Sequence, residues 1–403
     1  MTFGIELAIS SSTDLILAAI ALIILLGYIG EAIFRVTRIP EILILMFIGI
    51  LIGQFMPLAY TSTLRDLTPL FSSIALIMIM FNSGRIMKFG DGHGVGGRGL
   101  LLAFLDITLS CIALTIVMHY MFGWPLLYGA LLGIIVGETS TIIVIPLAKK
   151  LKTAPSIYNI VLMETTFNTV FAILAFYLLL PINGTSFTAY SYFQYLIDYL
   201  SVPVLLGILA GFAWLVARSI IKVANNYLAS LAIAMLLYGL VDFLQGSAVV
   251  AVLIYAIILG NDKLFGRLIG LRGIISNKKL KFVEQELEFL LRTFFFVLIG
   301  MIVILSIDYL MAAVVAVAVL ALVRYPEIGI GMHSFSRTNK NLIFSLMQKG
   351  LGVAVLSSLV YSMSLPYSDA IFTISFMVIV ISNILAAPIT RWATRGMTIT
   401  PSS

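Results

Sequence analysis

The chain has 403 residues, of which 61% are hydrophobic and only 10% are charged, and its formal net charge is +6. Soluble domains carry roughly 25% charged residues, and no water-soluble fold of this length could bury so much apolar surface. The composition therefore excludes a soluble protein and predicts a membrane protein. A single cysteine, Cys111, also excludes disulfide bonds within the chain.

Apolar runs of about 20 residues, the length that crosses a bilayer as a helix, recur along the whole sequence. They predict about thirteen transmembrane helices, near 14–34, 40–58, 66–84, 100–122, 125–147, 156–180, 198–220, 226–245, 246–260, 284–306, 309–330, 342–363 and 368–388. We therefore predict an all-α polytopic membrane protein, with one transmembrane domain over 1–403 and no soluble domain.

The distribution of lysine and arginine predicts how the chain is oriented. Of the 24 basic residues, all but Arg65, Arg292, Arg324 and Lys349 lie in loops after odd-numbered spans or in the tail. Cytoplasmic loops are enriched in lysine and arginine. The pattern thus predicts an N-terminus outside the cell and a C-terminus in the cytoplasm, and it explains the basic charge without nucleic-acid binding.

Three acids within the predicted spans are candidate functional residues. Glu138 and Glu164 lie near the centres of the fifth and sixth spans, where an ionised acid costs about 3 kcal/mol, so such residues usually face a cavity and handle ions or protons. Asp106 lies about 9 Å into the fourth span. Its carboxylate either lines a cytoplasmic funnel or is satisfied by a neighbouring hydroxyl.

Two spans contain residues that interrupt a helix. In the fifth span these are Gly137, Thr139, Ser140, Thr141 and Pro146, and in the twelfth Lys349, Gly350 and Gly352. Interrupted helices at matching places in two halves indicate a transporter built from inverted repeats, with its site where they cross. The alternative is that small residues only let helices pack closely. Lys349 would neutralise the second half-helix or bind a negative group.

The sixth span places Glu164, Asn168 and Thr169 on neighbouring turns of one helix. At 1.5 Å per residue, Glu164 lies about 12 Å from the cytoplasmic end and Arg324 of the eleventh span roughly 10 Å. The two residues are therefore predicted to lie at matching depth. A pair between them would be either an architectural bridge or part of the carrier, and removal of one partner would leave a buried unpaired charge.

These residues resemble the monovalent cation:proton antiporter superfamily, the sodium/proton exchangers of the NhaP and NapA kind. In that family the sixth helix reads Glu-x-x-x-Asn-Asp, and Glu164 and Asn168 match its first and fifth positions. Thr139 and Ser140 match the family's unwound crossover, and Arg324 matches the arginine that pairs with the glutamate.

The resemblance covers nearly the whole chain, since 292–300 and 349–358 are similar to the family's tenth and twelfth helices. It implies alternating access by core helices at about 100–180 and 309–388. A scaffold at about 1–99 and 198–306 would also form a homodimer interface. The resemblance implies no cofactor. The partners that it implies are a monovalent cation, H+ and membrane lipid.

The chain departs from this pattern where the family places its ion-carrying aspartate, because Thr169 occupies that position. A threonine hydroxyl cannot release a proton near neutral pH. Glu138 lies within about a turn of Thr169 in depth, so we predict that it is the replacement carboxylate. The predicted ion and proton site comprises Glu138, Thr139, Ser140, Glu164, Asn168 and Thr169.

These oxygen donors suit a hard cation but do not separate sodium from potassium. We predict exchange of a monovalent cation, Na+ or K+, for H+ across the cell membrane. Two alternatives remain because of Thr169: a proton-uncoupled permease for a small solute or anion, and a membrane sensor that transports poorly.

No enzyme is predicted. A GxGxxG at Gly92, Gly94 and Gly97 has no strand before it, as a dinucleotide site would require. Asn183, Gly184 and Thr185 match a glycosylation sequon in a predicted outside loop.

Overall fold

A computed structural model describes residues 21–33, 40–55, 58–88, 95–151, 153–182, 188–221, 227–270 and 281–394. The start of the first predicted span at 14–20, two glycines of the GxGxxG (Gly92 and Gly94) and the Asn183 sequon lie outside the described residues. The same holds for both chain ends, on which the predicted orientation depends.

The described ranges form sixteen α-helices and no strand. The first eight are α1 Ala21–Ile33, α2 Glu41–Phe55, α3 Leu58–Ile86, α4 Val95–Phe122, α5 Leu126–Gly137, α6 Thr141–Lys150, α7 Pro155–Leu179 and α8 Ala189–Ile221. The others are α9 Tyr227–Phe243, α10 Ala248–Gly260, α11 Asp262–Leu268, α12 Lys281–Ile302, α13 Ile307–Gly331, α14 Arg337–Ser345, α15 Leu351–Ser362 and α16 Ser368–Ala393.

Seven helices within the described ranges are long and apolar enough to cross a membrane, with α5 and α6 together counted as one. An eighth span arises if α10 and α11, which meet at 85°, are joined. The helices α1, α2, α9 and α15 are apolar but shorter. The all-α polytopic class is confirmed, and the count of thirteen spans stays a prediction.

The outer surface of the bundle carries large apolar side chains. Leu236 on α9 and Ile307 on α13 are each 74% exposed, and Leu322 on α13 is 73% exposed. Large exposed apolar surfaces are rare on soluble monomers. Every backbone group in a bilayer must be hydrogen-bonded within the protein, which explains why the spans are helices. The chain is therefore a multi-pass membrane protein.

Helix packing brings the two interrupted spans together. Helix α4 packs against α5, α7 and α13, while α16 packs against α13 and α15. Beside this group, α10 packs against α3 and α8, and α2 packs against α12. The arrangement surrounds the breaks in the two spans with α4, α7, α13 and α16.

Both predicted discontinuous helices are present. The first break, residues 138–140, separates α5 from α6, and the second, 346–350, separates α14 from α15. The backbone N–H of Ser140 donates to the carbonyl of Gln348 at 2.9 Å, which joins the two breaks directly. Pro146 lies inside α6, so the first break is shorter than the interrupting residues suggested. Gly352 lies in the first turn of α15, so the second break lies earlier in the chain than those residues suggested.

Candidate ion-binding site

A cavity of about 2930 Å³ extends to the first helix break. Glu138, Ser140 and Thr169 form part of its wall. Basic residues near helix ends also line it, among them Lys88, Lys149, Lys263 and Arg391. The cavity thus connects a group of basic residues at one end of the bundle with buried oxygen atoms at the break.

Glu138 presents its carboxylate to this cavity although the residue is only 2% exposed. Its Oε1 accepts a hydrogen bond from Thr169 Oγ1 at 2.8 Å. Its Oε2 has no hydrogen-bond partner among the described residues. The carboxylate also interacts with the backbone N–H of Val353, in the first turn of α15, where the helix dipole favours negative charge.

Two glycines of the twelfth span allow this close approach. A Cβ built on Gly352 would lie 2.5 Å from Cδ of Glu138, and one built on Gly350 would collide with the Ser140 side chain. Only glycine lets the start of α15 contact the first break this closely, because any other residue would displace the carboxylate or the hydroxyl.

Asn168 holds the first break in its shape. Its Oδ1 accepts from the backbone N–H of Thr139 at 2.7 Å, and its Nδ2 donates to Asp106 Oδ2 at 2.8 Å. Asp106 also accepts weaker hydrogen bonds from Ser110 Oγ and Thr139 Oγ1, each at 3.4 Å. An amide suits this position because it accepts from one group while it donates to another.

Arg324 lies beside this network and is 2% exposed. Its guanidinium forms a close ion pair with Glu164 on α7, a second with Glu327 Oε1 at 2.8 Å, and a third with Asp106 Oδ2 at 3.6 Å. A single arginine thus faces three buried acids from three helices. Such an arrangement resists the loss of any member, because each charge depends on the others for compensation.

Lys349 is the second cation at the crossing. Its Nζ donates to the carbonyl of Gly137 at 2.9 Å and to Thr139 Oγ1 at 3.3 Å. Gly137 ends α5, and a positive charge is favourable at a helix C-terminus. The ammonium therefore lies at the end of the first broken helix. The backbone carbonyl of Lys349 accepts a hydrogen bond from Asn383 Nδ2 at 2.8 Å.

The structure brings all nine predicted site residues to the crossing, but in two layers. Glu138, Ser140 and Thr169 line the cavity. Behind them lie Asp106, Thr139, Glu164, Asn168, Arg324 and Lys349. Asp106 thus takes part in the buried network and does not belong to the cavity wall.

Glu327 is the residue that sequence reasoning missed. It is fully buried and pairs with Arg324, three residues before it on α13. Residues three apart lie on the same side of a helix, so an acid at this distance from an intramembrane arginine was a readable signal.

Comparisons with known proteins agree with this architecture. The sequence profile of the transmembrane sodium/hydrogen exchanger family matches residues 20–396. The K(+)/H(+) antiporter NhaP of Alkalimonas amylolytica is 22% identical over 395 residues, which cover 94% of this chain and 67% of that protein.

Two structures of the sodium proton antiporter MjNhaP1 from Methanocaldococcus jannaschii share the fold. One, determined at pH 8, has a TM-score of 0.79 at 21% identity and covers 95% of this chain and 99% of that one. The other, an electron-microscopy map, has a TM-score of 0.76 at 20% identity and covers 97% and 99%.

Proposed function

The chain belongs to the sodium/hydrogen exchanger family, and we propose that it exchanges Na+ or K+ for H+ with Glu138 as the carrier carboxylate. One observation supports this assignment above the others. Among the four buried acids of the described ranges, Glu138 alone lines the cavity. A carrier must meet ions and protons from water, and Glu164 does not line that wall.

The local contacts support a site that holds one positive charge at a time. When Glu138 is ionised and the site is empty, the Thr169 hydroxyl donates to Oε1. The carbonyl of Thr165, 3.0 Å from Thr169 Oγ1, offers this hydroxyl proton a second acceptor. With the proton turned there, the oxygen lone pairs of Thr169 face a cation, together with the carboxylate and the Ser140 hydroxyl.

A proton on Glu138 removes the charge that attracts the cation, so cation and proton compete for one carboxylate. Such competition produces exchange when the site is exposed to the two sides of the membrane in turn. The bound cation needs oxygen ligands, and carboxylate and hydroxyl oxygens are the ligands that hard cations prefer. Because a single carboxylate changes its occupant, we propose one-for-one exchange.

We further propose that Glu164 and Arg324 serve as a structural pair. Their close contact and burial support this role, because an acid so compensated has little tendency to release its arginine for a cation. The pair would keep α7 and α13 in register while the helices move together.

The basic residues on the cavity wall support an orientation in the cell membrane. By the positive-inside rule, Lys88, Lys149 and Arg391 mark the cytoplasmic end, so the cavity would open to the cytoplasm. The division into a moving core and a dimerising scaffold, and the homodimer itself, are part of the same proposal.

Purified protein in liposomes that contain an internal pH dye tests the exchange itself. An imposed sodium or potassium gradient should drive proton movement in the opposite direction, and liposomes without a cation gradient provide the control. Solute uptake insensitive to internal pH would favour a permease instead. Cation binding without flux would favour a sensor.

Thr169 should matter for cation affinity. We expect Thr169→Val to raise the apparent KM for the cation about tenfold, which corresponds to about 1.4 kcal/mol, because it removes one of the oxygen ligands of the bound cation. Thr169→Ser keeps the hydroxyl and should restore the wild-type KM. Equal KM values for the valine and serine variants would contradict a ligand role.

A further inference from the structure

Two buried amide side chains at the second helix break each have an oxygen without a partner. Gln348 lies in the break and Asn383 on α16, and each is 1% exposed. Gln348 Oε1 and Asn383 Oδ1 have no hydrogen-bond partner among the described residues, and both residues form part of the cavity wall. No other side-chain amide of those ranges combines these features. A buried acceptor without a donor is uncommon in proteins, so these two oxygens need an explanation.

The orientation of both amides is determined by their NH2 groups. Gln348 Nε2 donates to the carbonyl of Ser345 at 2.7 Å. Asn383 Nδ2 donates to the carbonyls of Lys349 and Ile379, each at 2.8 Å. A rotated amide would place its oxygen against these carbonyl oxygens, which can only accept. The carbonyl oxygens are therefore the unpartnered ends of the two amides.

A comparison of the two breaks shows that the unpartnered oxygen is particular to the second. Asn168 and Asn383 lie on the helices that follow the two broken spans, α7 and α16. Asn168 uses both ends of its amide, because it accepts from Thr139 and donates to Asp106. Within the described part of the chain, Asn383 uses only its donor, which holds the carbonyl of Lys349. The second break thus leaves an acceptor beside the cavity.

The surroundings favour a positively charged ligand at these oxygens. Carbonyl oxygens attract cations, and in channels they replace the hydration shell of a monovalent ion. The ammonium of Lys349 does not fill this role, because it donates to Gly137 and Thr139 of the first break. Among the buried charged groups at the crossing, acids outnumber cations by four to two: Asp106, Glu138, Glu164 and Glu327 against Arg324 and Lys349.

We propose that Gln348 and Asn383 form a second cation-binding position, which holds Na+ or K+ through neutral carbonyl oxygens. The position lies next to the carrier, because the backbone carbonyl of Gln348 accepts from Ser140 at 2.9 Å and Gly352 contacts the Glu138 carboxylate. A cation held there waits while Glu138 is protonated and moves to the carboxylate when the proton leaves. The inference rests on the proposed role of Glu138 and adds the position from which the cation reaches it.

Binding of radioactive sodium and rubidium ions to the purified full chain, with rubidium in place of potassium, tests the second position. Measurements in Glu138→Gln separate it from the carrier. We expect this variant to retain cation binding, and the added substitution Gln348→Met or Asn383→Leu to weaken it about tenfold, because each removes an oxygen ligand. The matched control in the same background is Asn159→Leu, which removes an exposed amide from the same cavity wall and should leave binding unchanged.

Absence of cation binding by Glu138→Gln would overturn the second position. Equal binding with and without the added substitutions would also overturn it and would assign the two oxygens to water. Failure of both double variants to fold would do the same, because the amides would then serve the fold. Full exchange by Glu138→Gln would refute the proposed carrier, whereas weakened binding in the double variants would still support the second position.

Discussion

Glu138→Gln should abolish cation-dependent proton movement in proteoliposomes and reduce it to the level of empty liposomes. Glutamine keeps an oxygen that accepts from Thr169 and fills the same space against Gly352. It cannot bind a proton or attract a cation by charge. Glu138 is only 2% exposed, and burial of a charged group is unfavourable. Because the variant makes this side chain neutral, we expect no loss of thermal stability.

The matched control is Glu286→Gln, the same substitution on the same cavity wall. Glu286 accepts a hydrogen bond from Tyr28 at 3.2 Å in an exposed environment. We expect this variant to retain most of the wild-type flux. Full exchange by Glu138→Gln would assign the coupling to another group, whereas equal losses in both variants would indicate a general effect of charge in the cavity.

Arg324→Met should produce the largest loss of stability among single substitutions at the crossing. Methionine fills much of the volume but leaves Glu164, Glu327 and Asp106 without the cation that they share. Breaking a buried ion pair from one side costs about 3–5 kcal/mol. We expect a clearly lower unfolding temperature in detergent and low expression.

Arg292→Met provides the comparison, since Arg292 pairs with Glu41 at 2.6 Å but the two side chains are 18% and 12% exposed. Pairs in contact with water contribute about 1 kcal/mol or less. We also expect the double variant Arg324→Met with Glu164→Gln to recover part of the lost stability, because it removes one uncompensated acid. Similar unfolding temperatures for Arg324→Met and Arg292→Met would show that burial does not strengthen the Arg324 cluster.

Several features of the fold were predictable from sequence because they depend on local composition. Apolar runs of sufficient length must form helices in a bilayer, since no water is present to satisfy the backbone. The breaks at 138–140 and 346–350 were predictable from glycine, hydroxyl and charged residues within otherwise apolar runs. The same reasoning placed Glu138 and Thr169 at matching depth, where the structure joins them by a hydrogen bond.

Depth along a helix axis does not specify which way a side chain faces in the assembled bundle. Glu138 and Glu164 are both buried acids on neighbouring spans, yet only Glu138 lines the cavity. The difference depends on how α5, α7 and α15 pack, and in particular on the contact of Gly352 with the Glu138 carboxylate. The spacing of residues along the sequence does not determine how each helix is rotated about its axis in the bundle.

The chain's composition and its interrupted spans therefore predicted a membrane transporter with a buried acid at a helix crossing. Tertiary structure decided which acid meets the cavity and which acids share Arg324. Its decisive contacts join distant residues: Asn168 and Asp106 are 62 positions apart, and Lys349 and Gly137 are 212 positions apart. Electrostatic and hydrogen-bond energies depend on the distance between the interacting atoms. Residues so far apart in the sequence come within this range only after the helices have packed.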